Sequence, residues 1–123
     1  MKPYEKLKAW QRCHQVALRV YRASATWPAE ERYGITSQAR RAAFSAAANI
    51  AEGSAKLGYR EFRRFLDMAL GSLAELSYAL RLATDLGMMA VEDARELTEL
   101  CEEAGKTTWG LYRYARRKAT THP

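Results

Sequence analysis

The sequence predicts an all-α protein, an up-down-up-down antiparallel four-helix bundle. Three observations carry that expectation. Apolar residues recur at spacings of three and four in four separate stretches, the period of one helix face. Only 3 prolines and 7 glycines are present, and the strongest breaks fall between those stretches. The length of 123 residues suits one domain spanning 1–123, and 48% hydrophobic with 28% charged residues is a globular composition.

Helix 1 is expected over about 5–24, with Trp10, Cys13, Ala17 and Val20 on its inner stripe and Leu7, His14, Leu18 and Tyr21 widening it. Trp27-Pro28 and Gly34 then break the pattern. Helix 2 is expected over 36–53, with Thr36 or Ser37 as N-cap and Gly53 just past its end. Its inner positions are Ala39, Ala42, Ala43, Ala46, Ala47 and Ile50, small enough for a neighbouring helix to come close. Helix 3, over 59–86, carries Phe62, Leu66, Ala69, Leu73, Leu76, Leu80 and Ala83 in an alternating four-three spacing, a full heptad seam. Gly71 within it suggests a close helix crossing, and Gly87 marks its end. Helix 4, over 91–118, continues the seam with Ala94, Leu97, Cys101, Ala104, Thr108, Leu111 and Ala115, and the tail 119–123 should fray. The connections at 54–58 and 87–90 are short, so consecutive helices run antiparallel.

Lys and Arg total 20 against 14 Asp and Glu, a formal charge of +6. That charge is segregated. Residues 91–104 hold six acidic residues against Arg95 alone, a net −5, so the rest of the chain carries +11. Acid early and base late in helix 4 complement the helix dipole. That ordering leaves unexplained the base around the turn between helices 2 and 3, in Arg40, Arg41, Lys56, Arg60, Arg63 and Arg64. It also leaves unexplained the aromatic residues interleaved with base in Lys106, Trp109, Arg113, Tyr114, Arg116, Arg117 and Lys118. Cations neutralise phosphates and rings stack on bases, so this composition suits nucleic acid. A solvated face, or an oligomer contact made by Trp109 and Tyr112, has the same composition.

Other chemistries find little support. A di-iron bundle requires Glu-x-x-His pairs, and neither His14 nor His122 has Glu at that spacing. Cys13, His14 and Cys101 supply at most three zinc ligands, and Cys13 and His14 point about 100° apart on a helix. The two cysteines make no disulfide framework, and no phosphate-binding glycine loop or Ser/His/acid set is present. No cofactor is implied. One polar constellation remains: Arg41, Ser45, Asn49 and Glu52 on helix 2, with Ser72 and Glu75 on helix 3. It reads as an interhelical network that fixes register, or as a pocket polarising a small acidic substrate. The longest apolar stretch, 42–51, is interrupted by Ser45 and Asn49, so no membrane span and no secretory leader are expected, and the location expected is the cytoplasm.

Glu31-Arg32-Tyr33-Gly34-Ile35-Thr36-Ser37-Gln38, Arg40-Arg41-Ala42-Ala43 and Asn49-Ile50-Ala51-Glu52-Gly53 resemble the signature of the four-helix bundle proteins encoded in 23S rRNA intervening sequences. The resemblance continues in Trp10-Gln11, Phe65-Leu66, Ala69 and Gly71-Ser72-Leu73-Ala74-Glu75-Leu76. It covers helices 1 to 3, while helix 4 matches in length and periodicity. The chain departs from the family pattern at Ser45-Ala46-Ala47-Ala48, where a bulkier residue or proline is common. The resemblance implies a bacterial, cytoplasmic, non-enzymatic protein that forms a ring-like homopentamer, with no catalytic residues. Relatives include the accessory protein of diversity-generating retroelements, similar in fold, whose basic surfaces engage nucleic acid and a reverse transcriptase.

The expected function is a non-enzymatic oligomeric scaffold binding RNA or DNA through Arg40, Arg60, Arg63, Arg64, Arg113, Arg116 and Arg117. The alternative is an assembly module, including an accessory partner of a reverse transcriptase, using Trp109, Tyr112, Glu96, Glu99 and Glu103 at its interface. A further alternative is an enzyme using the polar constellation of helices 2 and 3.

Overall fold

The structure, a computed structural model, describes residues 1–121. Its four helices are α1 (Lys8–Ser24), α2 (Ile35–Ser54), α3 (Tyr59–Asp85) and α4 (Val91–Thr121). Each packs on its neighbour in sequence, and α1 closes the ring on α4. This is the four-helix bundle expected from the periodicity. One end, here called lower, gathers the start of α1, the α2–α3 turn and the final turns of α4. The upper end holds the α1–α2 connection and the α3–α4 turn. No helix among the described residues is long and apolar enough to cross a membrane.

The seams of α3 and α4 are buried as their spacing predicts, except that Phe62 and Leu111 are half-buried. All six expected α2 positions are buried. In α1 the buried stripe is Ala9, Cys13, Val16, Val20 and Ser24, so the expected stripe is partly displaced. Trp10 and Ala17 are only half-buried, while His14, Leu18 and Tyr21 are exposed. Ala9, Cys13, Val16 and Val20 join one buried core with the alanines of α2.

Helix ends differ from expectation for local reasons. Pro3 opens a 3-10 turn over Pro3–Lys6, and extended Leu7 separates it from α1, which begins at Lys8 rather than at 5. The 3-10 turn Ala29–Glu31 places the Glu31 carboxylate where it accepts the Ile35 N–H at 3.2 Å. The α2 N-terminus is thus served by Glu31, with Gly34 at the cap position, and neither Thr36 nor Ser37 caps it. At the other end α2 continues through Gly53 to Ser54. Gly53 is there for space: a Cβ on it would lie 2.7 Å from Phe65 Cβ and 3.0 Å from Phe62 Cδ1. Gly71 is the reverse case. Its Cβ would meet nothing within 4 Å, so it makes no close crossing within the bundle. Gly58 (φ +87°) lets the α2–α3 turn enter α3. After α3 ends at Asp85, Gly87 (φ +73°) allows the Met88 N–H to reach back to the Ala83 carbonyl at 2.9 Å. α4 runs three residues beyond the expected 118, and the rest of the expected frayed tail, 122–123, lies outside the described residues.

Candidate nucleic-acid interface

Antiparallel pairing decides where the basic segments meet. α3 starts where α4 ends, so Arg60, Arg63 and Arg64 face the α4 turns that carry Arg113, Arg116 and Arg117. The edge-on contact of Tyr59 with Tyr114, at 5.8 Å between ring centroids, fixes that alignment. Arg60, Arg63 and Arg64 share a surface hollow of about 390 Å³ with Tyr112, Glu61 and Asp67. Lys56 in the turn and Arg64 both lie over the Phe65 ring, at 5.3 and 5.0 Å. Lys118 lies over Tyr114 at 5.6 Å. In each case the cationic group itself lies over the ring, an attraction that holds the long side chain against the bundle. The one ion pair at this end among the described residues is Arg64–Glu61, at 3.2 Å and exposed.

Six of the seven arginines expected to bind nucleic acid therefore gather at the lower end. Arg40 does not. It lies near the start of α2, donates to Ser24 Oγ at 2.8 Å and to the Tyr21 carbonyl at 3.3 Å, and covers the Tyr21 ring at 4.8 Å. Its guanidinium clamps α1 to α2. Arg41 beside it is exposed.

Trp109 and Tyr112, expected as interface residues, stack on one another at 5.3 Å with ring planes 15° apart. Arg116 covers Tyr112 at 5.7 Å. The acidic residues divide. Glu96 accepts from Arg19 and Glu103 from Arg12, both cross-links from α4 to α1 of the same chain. The Arg19 hydrogen bond holds the Glu96 carboxyl below its ordinary value, and the guanidinium is raised in turn. Glu99 instead lines a shallow α3–α4 groove with Tyr78, Arg81 and Arg95.

Half of the polar constellation forms a network. Asn49 donates to the Ser45 carbonyl at 2.9 Å and to Ser45 Oγ at 3.0 Å, and Ser72 Oγ donates to Ser45 Oγ at 2.9 Å, joining α2 to α3. Arg41, Glu52 and Glu75 are exposed and form no hydrogen bond or ion pair with it among the described residues. Cys13 and Cys101 are buried, and burial pushes both thiols up to about 11, far from thiolate chemistry at neutral pH. The described residues contain no cluster of three or more His, Cys, Asp or Glu able to hold a metal ion.

One surface escaped the sequence reading. Tyr4, Trp10, His14, Leu18, Tyr21 and Phe44 line an apolar groove of about 430 Å³ along the outside of α1 and α2, floored by alanines of α2. Trp10 stacks on His14 at 4.7 Å and meets Tyr4 edge-on at 4.9 Å. Its signal was the second aromatic stripe of α1, which the periodicity folded into the core.

The sequence model of the 23S rRNA-intervening sequence protein family matches residues 5–110, which extends the likeness well into α4. Among solved structures, the chain is similar to a protein of unknown function from the S23 ribosomal protein family of Bacteroides thetaiotaomicron. The likeness has a TM-score of 0.76 at 20% identity and covers 85% of this chain and 97% of that one, and it speaks for the fold. No curated protein gives a significant match. With the four-helix architecture and a family match over most of its length, the chain belongs to the 23S rRNA-intervening sequence protein family.

Proposed function

We propose that this protein is a non-enzymatic helical scaffold that binds nucleic acid through phosphate contacts at the lower end of the bundle. The observation that carries the reading is the gathering of Arg60, Arg63, Arg64, Arg113, Arg116 and Arg117 among aromatic rings, with only Arg64 ion-paired among the described residues. Guanidinium groups that lack carboxylate partners are available to phosphates, and binding releases the counterions condensed there. In the cytoplasmic homopentamer that the family resemblance implies, five such ends would be linked, raising avidity without new chemistry. Binding to RNA and duplex DNA, followed by fluorescence anisotropy, should be measurable at low salt and weaken steeply as salt rises. Absence of binding at low salt would refute the reading.

The apolar groove of α1 and α2 favours a second role, assembly with further copies of this chain. Leu18 (41% exposed), Tyr21 (47%) and Phe44 (65%) form an apolar patch on one face, the usual composition of an interface centre. The double variant Leu18→Glu/Phe44→Glu should then sediment as a monomer under conditions where the parent protein assembles. An unchanged sedimentation coefficient would exclude the groove as the contact. Glu96 and Glu103 are engaged with α1 of their own chain, which weakens the case for the acidic stripe as that contact.

A further inference from the structure

Two stacked aromatic pairs lie at the surface among the described residues, and their surroundings differ. Trp10 and His14 stack inside a groove whose other walls are tyrosine, leucine, phenylalanine and alanine. Trp109 stacks in the open, on a helix surface occupied by cations. Its neighbours at helical spacing are Lys106 on one side and Tyr112 and Arg113 on the other. Tyr112 is covered by Trp109 and approached by Arg116, so indole, phenol and guanidinium form a short column. Trp109 is the open end of that column, with one face against Tyr112 and 46% of the residue exposed. Gly110 beside it leaves the helix surface bare, since a Cβ there would meet nothing within 4 Å.

We infer that this column takes an unpaired base, so that the lower end prefers single-stranded nucleic acid to duplex. The inference rests on the nucleic-acid reading above and names the form bound. Bases within a duplex present their faces to one another, and a surface ring reaches them only by unstacking the helix. Bases of a single strand are free to add as the next layer on a ring. Arginines at the same surface hold the adjoining phosphates, and the bare surface at Gly110 gives the sugar-phosphate strand room to pass beside the indole. Stacking of this kind tolerates any base, so the preference is for strandedness rather than sequence.

The test uses the full-length protein with labelled 12-nucleotide oligo-U and oligo-dT, and with RNA and DNA hairpins of equal phosphate number whose strands are fully paired and joined by a non-nucleotide linker, all at one low salt concentration. The single strands should bind about tenfold tighter than the hairpins, and indole fluorescence should be quenched as they bind. Trp109→Ala should lose about fivefold or more in single-strand affinity and leave hairpin affinity within about twofold. Trp109→Phe should retain most of the affinity and lose the quench. Trp109 is exposed, so circular dichroism should find both variants folded, and Trp109→Phe alone carries the test if Trp109→Ala is not. Hairpins bound as tightly as single strands, or equal losses on both from Trp109→Ala, would overturn the inference and leave the phosphate reading standing. No binding of any oligonucleotide at low salt would overturn both.

Discussion

The two ends of the bundle both carry arginine, and they differ in what the arginine meets. In the upper half Arg19 binds Glu96 across the α1–α4 contact and Arg40 clamps α1 to α2, and at mid-height Arg12 binds Glu103 across the same α1–α4 contact. Below, the arginines outnumber nearby carboxylates and lean on aromatic rings instead. Charge in the upper part therefore joins helices, whereas charge at the lower end is left facing outward. A formal charge of +6 spread evenly would say little, but the same charge held at one end is a surface.

At the lower end Gly53 lies directly against the phenylalanines of α3, and this is where the largest stability effect is expected. Gly53→Ala places a methyl group within 2.7 Å of Phe65, so it should cost about 1–3 kcal/mol in urea unfolding. A smaller effect of opposite sign is expected for Gly71→Ala. Open space surrounds that position, and removing a mid-helix glycine should gain about 0.5–1 kcal/mol. Equal responses at the two glycines would contradict the different roles assigned to them.

The smallest effect concerns the upper contact. The Glu96 carboxyl is held below its ordinary value by Arg19, so its stabilising contribution is present above the ordinary carboxylate range. It is lost as pH falls through the lowered value. The gap in urea midpoint between parent and Glu96→Ala should accordingly narrow from pH 7 to pH 3. A gap that persists at pH 3 would show that the pair is not its source.

Much of the fold was legible because burial along a helix follows its period. The seams of α3 and α4 depend only on spacings within each helix. What the sequence left ambiguous depends on the neighbour. α1 carries two overlapping apolar stripes, and only the shape of α2 and α4 selects Ala9, Val16 and Val20 over Trp10, Leu18 and Tyr21. Gly53 and Gly71 are alike as letters, and the phenylalanines of α3 separate their roles. The gathering of Arg60 to Arg64 with Arg113 to Arg117 follows from antiparallel topology, which the short α3–α4 turn already implied. The α1 partners of Glu96 and Glu103 lie 77 and 91 positions away, and no local pattern points to them. Arg40 is basic and near a turn in sequence, but the turn it adjoins is the upper one.

The central claim is that one end of this bundle meets phosphate and the other does not. Two charge reversals of equal size test it: Arg113→Glu/Arg117→Glu at the lower end and Arg32→Glu/Arg41→Glu at the upper end, all four residues being exposed. Binding to one RNA is measured for each across a salt series. The lower-end variant should lose about tenfold or more in affinity at low salt and show a shallower dependence of log K on log salt, while the upper-end variant stays within about twofold of the parent. Equal losses from the two reversals would mean that only net charge matters, and would contradict the account.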